Sequence, residues 1–147
     1  MPADPARPVT GPRALALATH PGPTVAVTAV AGLLALAALF VGAGVLHFLR
    51  PEPFDRIVPL WVPLSARTAT LVSGAAEIVG GLGLLHPATR PAARWGLLAL
   101  LVAVFPANVE MARHAERFRP LPEWALWARL PLQPLLMVLV WRAGRRG

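Results

Sequence analysis

Four apolar stretches, at about residues 24–49, 68–85, 92–112 and 124–142, fill most of the chain, and each carries one or two strongly polar residues. Each is about as long as a helix must be to cross a hydrocarbon core of about 30 Å at about 1.5 Å per residue. Their succession predicts an all-α fold, an integral membrane four-helix bundle. The polar interruptions are His47 in the first stretch, Ser73 and Glu77 in the second, Asn108 and Glu110 in the third, and Arg129 and Gln133 in the fourth. Charged groups at membrane depth are costly unless paired or solvated, so these side chains require partners.

Four spans put both termini on one side of the membrane, and that topology sets the depth of each polar residue. His47 falls near the end of the first span farther from the termini, and Glu77 lies well inside the second from that same end. Asn108 and Glu110 approach it in the third, and Arg129 and Gln133 lie within two turns of it in the fourth. Residues from four separate spans therefore fall in one half of the bilayer, which predicts a single polar cluster of His47, Ser73, Glu77, Asn108, Arg129 and Gln133. Ser73 and Glu77 are four apart and share a helix face, as do Arg129 and Gln133. Glu77 with Arg129 is the expected buried ion pair. Gly74, Gly80, Gly81 and Gly83 make the second span small-sided, so that neighbouring backbones can approach. Pro131 and Pro134 are expected to kink or open the fourth helix, and Pro106 the third, freeing carbonyls.

Between the first two spans, residues 50–67 hold Pro51, Pro53, Pro59 and Pro63 among Phe54, Ile57, Val58, Leu60, Trp61 and Val62. This interfacial, proline-rich loop is too broken for a span; it lies in the interface or folds back as a lid over the polar cluster. Residues 1–23, with six prolines, Arg7 and Arg13, read as a disordered tail on the membrane surface, and 143–147 as a basic C-terminal tail. A cleavable signal peptide does not fit, because the first apolar run is long, starts late and is followed by three more.

Charge changes this picture little. The net charge of +7 comes from fourteen arginines and no lysine, placed mainly between the spans, so they read as topology signals and headgroup contacts rather than a nucleic-acid surface. Seven lie on the terminus side and six on the other, which places the termini in the cytoplasm. Trp95 and Trp141 fit an interfacial belt at the terminus side, and Trp61, Trp124 and Trp127 one at the far side. The absence of cysteine removes dithiol exchange, thiolate metal sites and cysteine nucleophiles. His47, Glu77 and Glu110 lack metal-ligand spacing, so no metal site is expected.

The string His47-Phe48 followed by Pro51, Phe54, Ile57 and Pro59 resembles the first-helix exit of DoxX-like membrane proteins. Ser73-Gly74 with Glu77 and Gly80-Gly81-Leu82 is similar to that family's second helix. Phe105-Pro106-Ala107-Asn108 and Arg129-Leu130-Pro131-Leu132-Gln133 resemble its third and fourth. The resemblance covers about residues 40–142. It implies a small multi-pass protein of the bacterial cytoplasmic (inner) membrane, in some relatives associated with quinone-linked sulfur oxidation or redox-stress complexes. No catalytic set is carried over.

Three function classes remain open. In the first the chain is a quinone-binding or accessory subunit of a membrane oxidoreductase, with Arg129 and His47 as donors to a quinone carbonyl and Glu77 as proton acceptor. In the second it is a structural or assembly protein, in which the Glu77–Arg129 pair fixes helix register, Asn108 and Gln133 are interhelical glue, and His47 is a helix-end imidazole. In the third it is a small proton-coupled transporter, a reading that a free glutamate favours and a neutralised one opposes. The expected partners are the lipid bilayer and either a redox subunit or a second copy of the chain. A stand-alone enzyme is not expected.

Overall fold

The computed structural model describes residues 23–119 and 121–143. Their helices are α1 (Pro23–Leu49), α2 (Pro51–Asp55), α3 (Ala66–Leu85), α4 (Arg90–Arg113) and α5 (Glu123–Ala143), with a 3₁₀ turn, Ala115–Phe118, ahead of α5. α1, α3, α4 and α5 are each long and apolar enough to cross a membrane, and the protein is a multi-pass membrane protein built as a four-helix bundle. The N-terminal tail read over 1–23 and the basic tail over 143–147 lie outside the described residues, except that Pro23 and Ala143 already belong to α1 and α5.

Local chemistry sets the helix limits. Ser65 caps α3: its Oγ accepts the Thr68 backbone N–H at 3.1 Å, so the helix starts at Ala66, ahead of the apolar run. Pro91 sits in the first turn of α4, where the missing N–H costs nothing, and draws Arg90 into the helix. Pro106, Pro131 and Pro134 do not end the helices that contain them: α4 and α5 continue through all three. The loop contains an element that the proline count had hidden. Pro51 occupies the first turn of α2, and Arg67 at the start of α3 straps α2 down through Asp55 at 2.9 Å and Glu52 at 3.8 Å.

The helices pack in the order α1, α3, α4, α5, each antiparallel to the one before, while α1 and α5 meet over a shorter seam. α3 and α5 stand diagonally across the bundle. The α1–α3 seam is the tightest. A Cβ on Gly44 would lie 2.5 Å from the Gly74 carbonyl oxygen, and one on Gly74 would lie 2.6 Å from the His47 Cβ. Only glycine permits that approach, and with it the close van der Waals contact that holds helices together in lipid.

Apolar packing is unevenly distributed along the bundle. In the half nearer the termini, Leu36 and Phe40 of α1, Leu84 of α3, Leu97 and Leu101 of α4 and Val140 of α5 form one buried cluster. At the far end a smaller cluster, Met111, Ala112 and Leu126, is covered by Ile57, Phe118 and Leu130. Large apolar side chains such as Val30, Leu34, Val79, Val102 and Leu135 point outward, as a lipid-facing surface requires.

Candidate functional site

Between these two apolar clusters lies a cavity of about 460 Å³. Its wall includes His47 from α1, Ser73 and Glu77 from α3, Asn108 from α4, and Arg129 and Gln133 from α5. The structure thus brings all six to one space. Glu110 is not among them; it faces an adjoining cavity of about 350 Å³ at the far end, with Arg56, His114 and Arg117, and its Oε1 lies 3.0 Å from His114 Nδ1. Ile57, Val58, Pro59 and Trp61 line both spaces, so this stretch of the loop is the partition between them. The loop therefore folds back over the bundle, and Phe54 stacks on the His47 ring with centroids 3.8 Å apart.

The six residues divide by whether their bonding capacity is already used. Gln133 is buried and satisfied: its Nε2 donates to the Leu101 carbonyl of α4, and its Oε1 accepts from Asn108 Nδ2 at 2.5 Å. This side chain staples α5 to α4 at two points. It does so beside Pro106, which has no N–H to give to the Val102 carbonyl. Ser73 Oγ donates to the Thr70 carbonyl of its own helix at 2.9 Å. His47 Nδ1 donates to the Ala43 carbonyl at 2.8 Å.

Glu77 and Arg129 do not form the expected ion pair. They stand on α3 and α5, the diagonal helices, and a bond would have to span the cavity. Helical side chains tilt toward the N-terminus of their own helix. Because α1 and α3 are antiparallel, this brings His47 and Glu77 toward each other along the tight seam. Glu77 Oε2 lies 3.4 Å from His47 Nδ1, whose proton is directed to Ala43. Glu77 Oε2 is consequently buried without a hydrogen-bond partner. Arg129 sits on the exposed flank of α5, with Nη1 3.8 Å from Met111 Sδ and no carboxylate within ion-pair distance among the described residues.

Thr70 belongs to the site and was absent from the sequence reading. It is buried, lines the cavity, and its Oγ1 has no hydrogen-bond partner. Its signal was present: Thr70 precedes Ser73 by three residues and Glu77 by seven, so all three share a face of α3. The wall therefore offers one unpartnered hydroxyl, one unpartnered carboxylate oxygen and one guanidinium free of carboxylates, facing side chains such as Phe40, Val104 and Leu136.

No curated protein and no solved structure matches the chain. Residues 36–144 match the model of a family described as a domain of unknown function, DUF8561, a span that begins within α1 and runs past the end of α5. With most of its length covered, the chain belongs to that family.

Proposed function

We propose that the protein binds a small amphiphile with a hydrogen-bonding head inside the bundle, that the head is of the quinone type, and that the chain serves a membrane oxidoreductase as its quinone-binding or accessory subunit. The observation that carries this reading is the pair of buried, unpartnered oxygens on the cavity wall, Thr70 Oγ1 and Glu77 Oε2, with the Arg129 guanidinium on the exposed flank of the same cavity. Buried polar atoms are normally hydrogen-bonded, and an unpartnered set around a space of ligand size is what a polar head would complete. Thr70 and Arg129 supply donors to a carbonyl oxygen, and Glu77 accepts a proton. His47 serves as a donor only when doubly protonated, since its Nδ1 proton is committed to Ala43. The similarity of the His47, Ser73–Glu77, Asn108 and Arg129–Gln133 segments to DoxX-like proteins supports the redox context, and with it a bacterial cytoplasmic membrane location with termini in the cytoplasm.

The test is mass spectrometry of the organic extract of mildly purified protein. Near-stoichiometric quinone is expected in the wild type and its loss in Arg129→Ala and Thr70→Val at matched folding. No quinone in any sample would remove the redox reading. One observation favours a second reading, a proton-coupled transporter: the Glu77 carboxylate is not neutralised by an arginine. In proteoliposomes that reading requires a substrate-driven proton flux that Glu77→Gln abolishes.

A further inference from the structure

We propose that the ligand reaches the cavity sideways from the bilayer, through the gap between α1 and α5 in the half far from the termini, and that it carries an apolar tail which stays in that gap. The inference rests on the reading of the cavity as a ligand site and adds the tail and the route.

Four observations place the opening. First, α1 and α5 share only a short seam, and the apolar cluster closes it in the half nearer the termini, where Leu36 and Phe40 meet Val140. Second, beyond Phe40 the cavity wall includes the small Ala43 on α1 and, on α5, Gln133, whose side chain turns toward α4 to bond Asn108 and Leu101. Neither fills the space between the two helices. Third, Leu39 of α1 and Leu132 of α5 are each 51% exposed and yet both line the cavity. A side chain that is at once on the lipid-facing surface and on the cavity wall marks a place where the two are continuous. Fourth, Arg129 is exposed and also lines the cavity on this flank, one turn from Leu132 toward the interface. A long arginine side chain there keeps its charge near the headgroup region while offering donors to a polar head passing beneath it.

The rival route runs between α3 and α4, where Val72 and Ala103 are exposed lining residues. Two observations favour the first route: α1 and α5 share the shorter seam, and Val62 and Leu64, which lead directly into α3, line the cavity. On the far side, the Ile57–Trp61 stretch stands between this cavity and the adjoining one. The occupant that fits is therefore a membrane-dissolved amphiphile with one flexible apolar tail, its head at Glu77 and Thr70.

The experiment uses a decyl-chain alcohol with a photoreactive diazirine at its polar end, and a short water-soluble diazirine alcohol as the tail-less probe. Each is added to the full chain in nanodiscs, photolysed, and mapped by peptide mass spectrometry, carboxylates being efficient acceptors of the reactive species. The tailed probe is expected to label Glu77, with the tail-less one labelling it about tenfold less, the effect of losing one good set of contacts. Leu132→Trp, which fills the α1–α5 gap, is expected to cut labelling by a similar factor, and Ala103→Trp, which also lines the cavity but on the α3–α4 side, to cut it less. Leu39→Phe repeats the first test with a smaller side chain, so that a misfolded tryptophan variant does not decide the matter. Equal labelling by the two probes, loss of labelling with Ala103→Trp but not Leu132→Trp, or no labelling of Glu77 in the wild type would each overturn the route. Because neither probe is a quinone, these outcomes are independent of the extraction test.

Discussion

The two halves of the bundle use the same four helices to opposite ends. Nearer the termini, Leu84, Leu97 and Val140 are fully buried against one another, and the buried Arg90 donates its Nε proton to the Leu84 carbonyl. Farther from them, the helices enclose polar groups, leave a cavity, and rely on Gln133 for a bond across α4 and α5. The α1–α3 seam runs through both halves, with Gly81 against Ala37 toward one and Gly44 against Gly74 toward the other. A tight seam and a closed end let the opposite end stay open. Close packing supplies the association energy, so the far half can carry polar groups that contribute little to it.

The largest expected effect comes from breaking what the halves share. In Gly74→Leu the new side chain would start 2.6 Å from the His47 Cβ and 3.0 Å from the Gly44 carbonyl, and it has no flexible neighbour to displace. Overpacking of this kind should cost about 3 kcal/mol or more. Thermal unfolding in detergent, followed by helical circular dichroism, should show a loss of both halves in a single transition. Separate transitions would mean that the seam does not couple them.

Next in size is a matched pair of truncations. Leu84→Ala removes a fully buried side chain from the closed half and should cost about 2–4 kcal/mol. Leu132→Ala removes the same atoms from the rim of the open half, where the side chain is 51% exposed, and should cost no more than about 0.5 kcal/mol. Equal losses of melting temperature would show that the far half is packed as tightly as the near one.

The fold was legible because the bilayer fixes helix length, so apolar runs alone delimited four spans to within a few residues of α1, α3, α4 and α5. The polar residues could be placed by depth, since topology alone assigns each to an end of the membrane. Their pairing could not. Depth does not say which helices are neighbours, and the expected Glu77–Arg129 bond failed because α3 and α5 are diagonal. Thr70 escaped notice because a threonine near a helix start reads as ordinary, and only its burial without a partner distinguishes it. α2 was hidden for the same kind of reason: prolines at the front of a helix are harmless, and Pro51 stands there.

A smaller effect separates structural from ligand-facing polar groups within the open half. Gln133→Leu removes the staple and leaves Asn108 Nδ2 and the Leu101 carbonyl without it. Interhelical hydrogen bonds in membranes are modest, so the expected cost is about 1 kcal/mol. Asn108→Leu should cost less, and the double variant should lie closer to Gln133→Leu than to the sum, because the two share a bond. Glu77→Gln, by contrast, breaks no bond to that oxygen and should leave stability nearly unchanged. A large destabilisation by Glu77→Gln would move that carboxylate into the structural group.

The smallest expected effect concerns the loop that closes the open half. Arg67 holds α2 through Asp55 and Glu52, but its side chain is about half exposed, and exposed ion pairs contribute only about 0–1 kcal/mol. Arg67→Ala should therefore leave the melting temperature within experimental scatter. Its effect should appear locally, because a segment held by few contacts can open without the bundle unfolding. Amide hydrogen exchange across residues 51–64 should quicken in the variant, while exchange around Leu84 and Leu97 stays unchanged. If exchange across the loop does not change either, then the stacking of Phe54 on His47 and the packing of Ile57 on the far apolar cluster suffice to hold it. The loop would then be a fixed wall of the open half, and the strap an incidental surface pair.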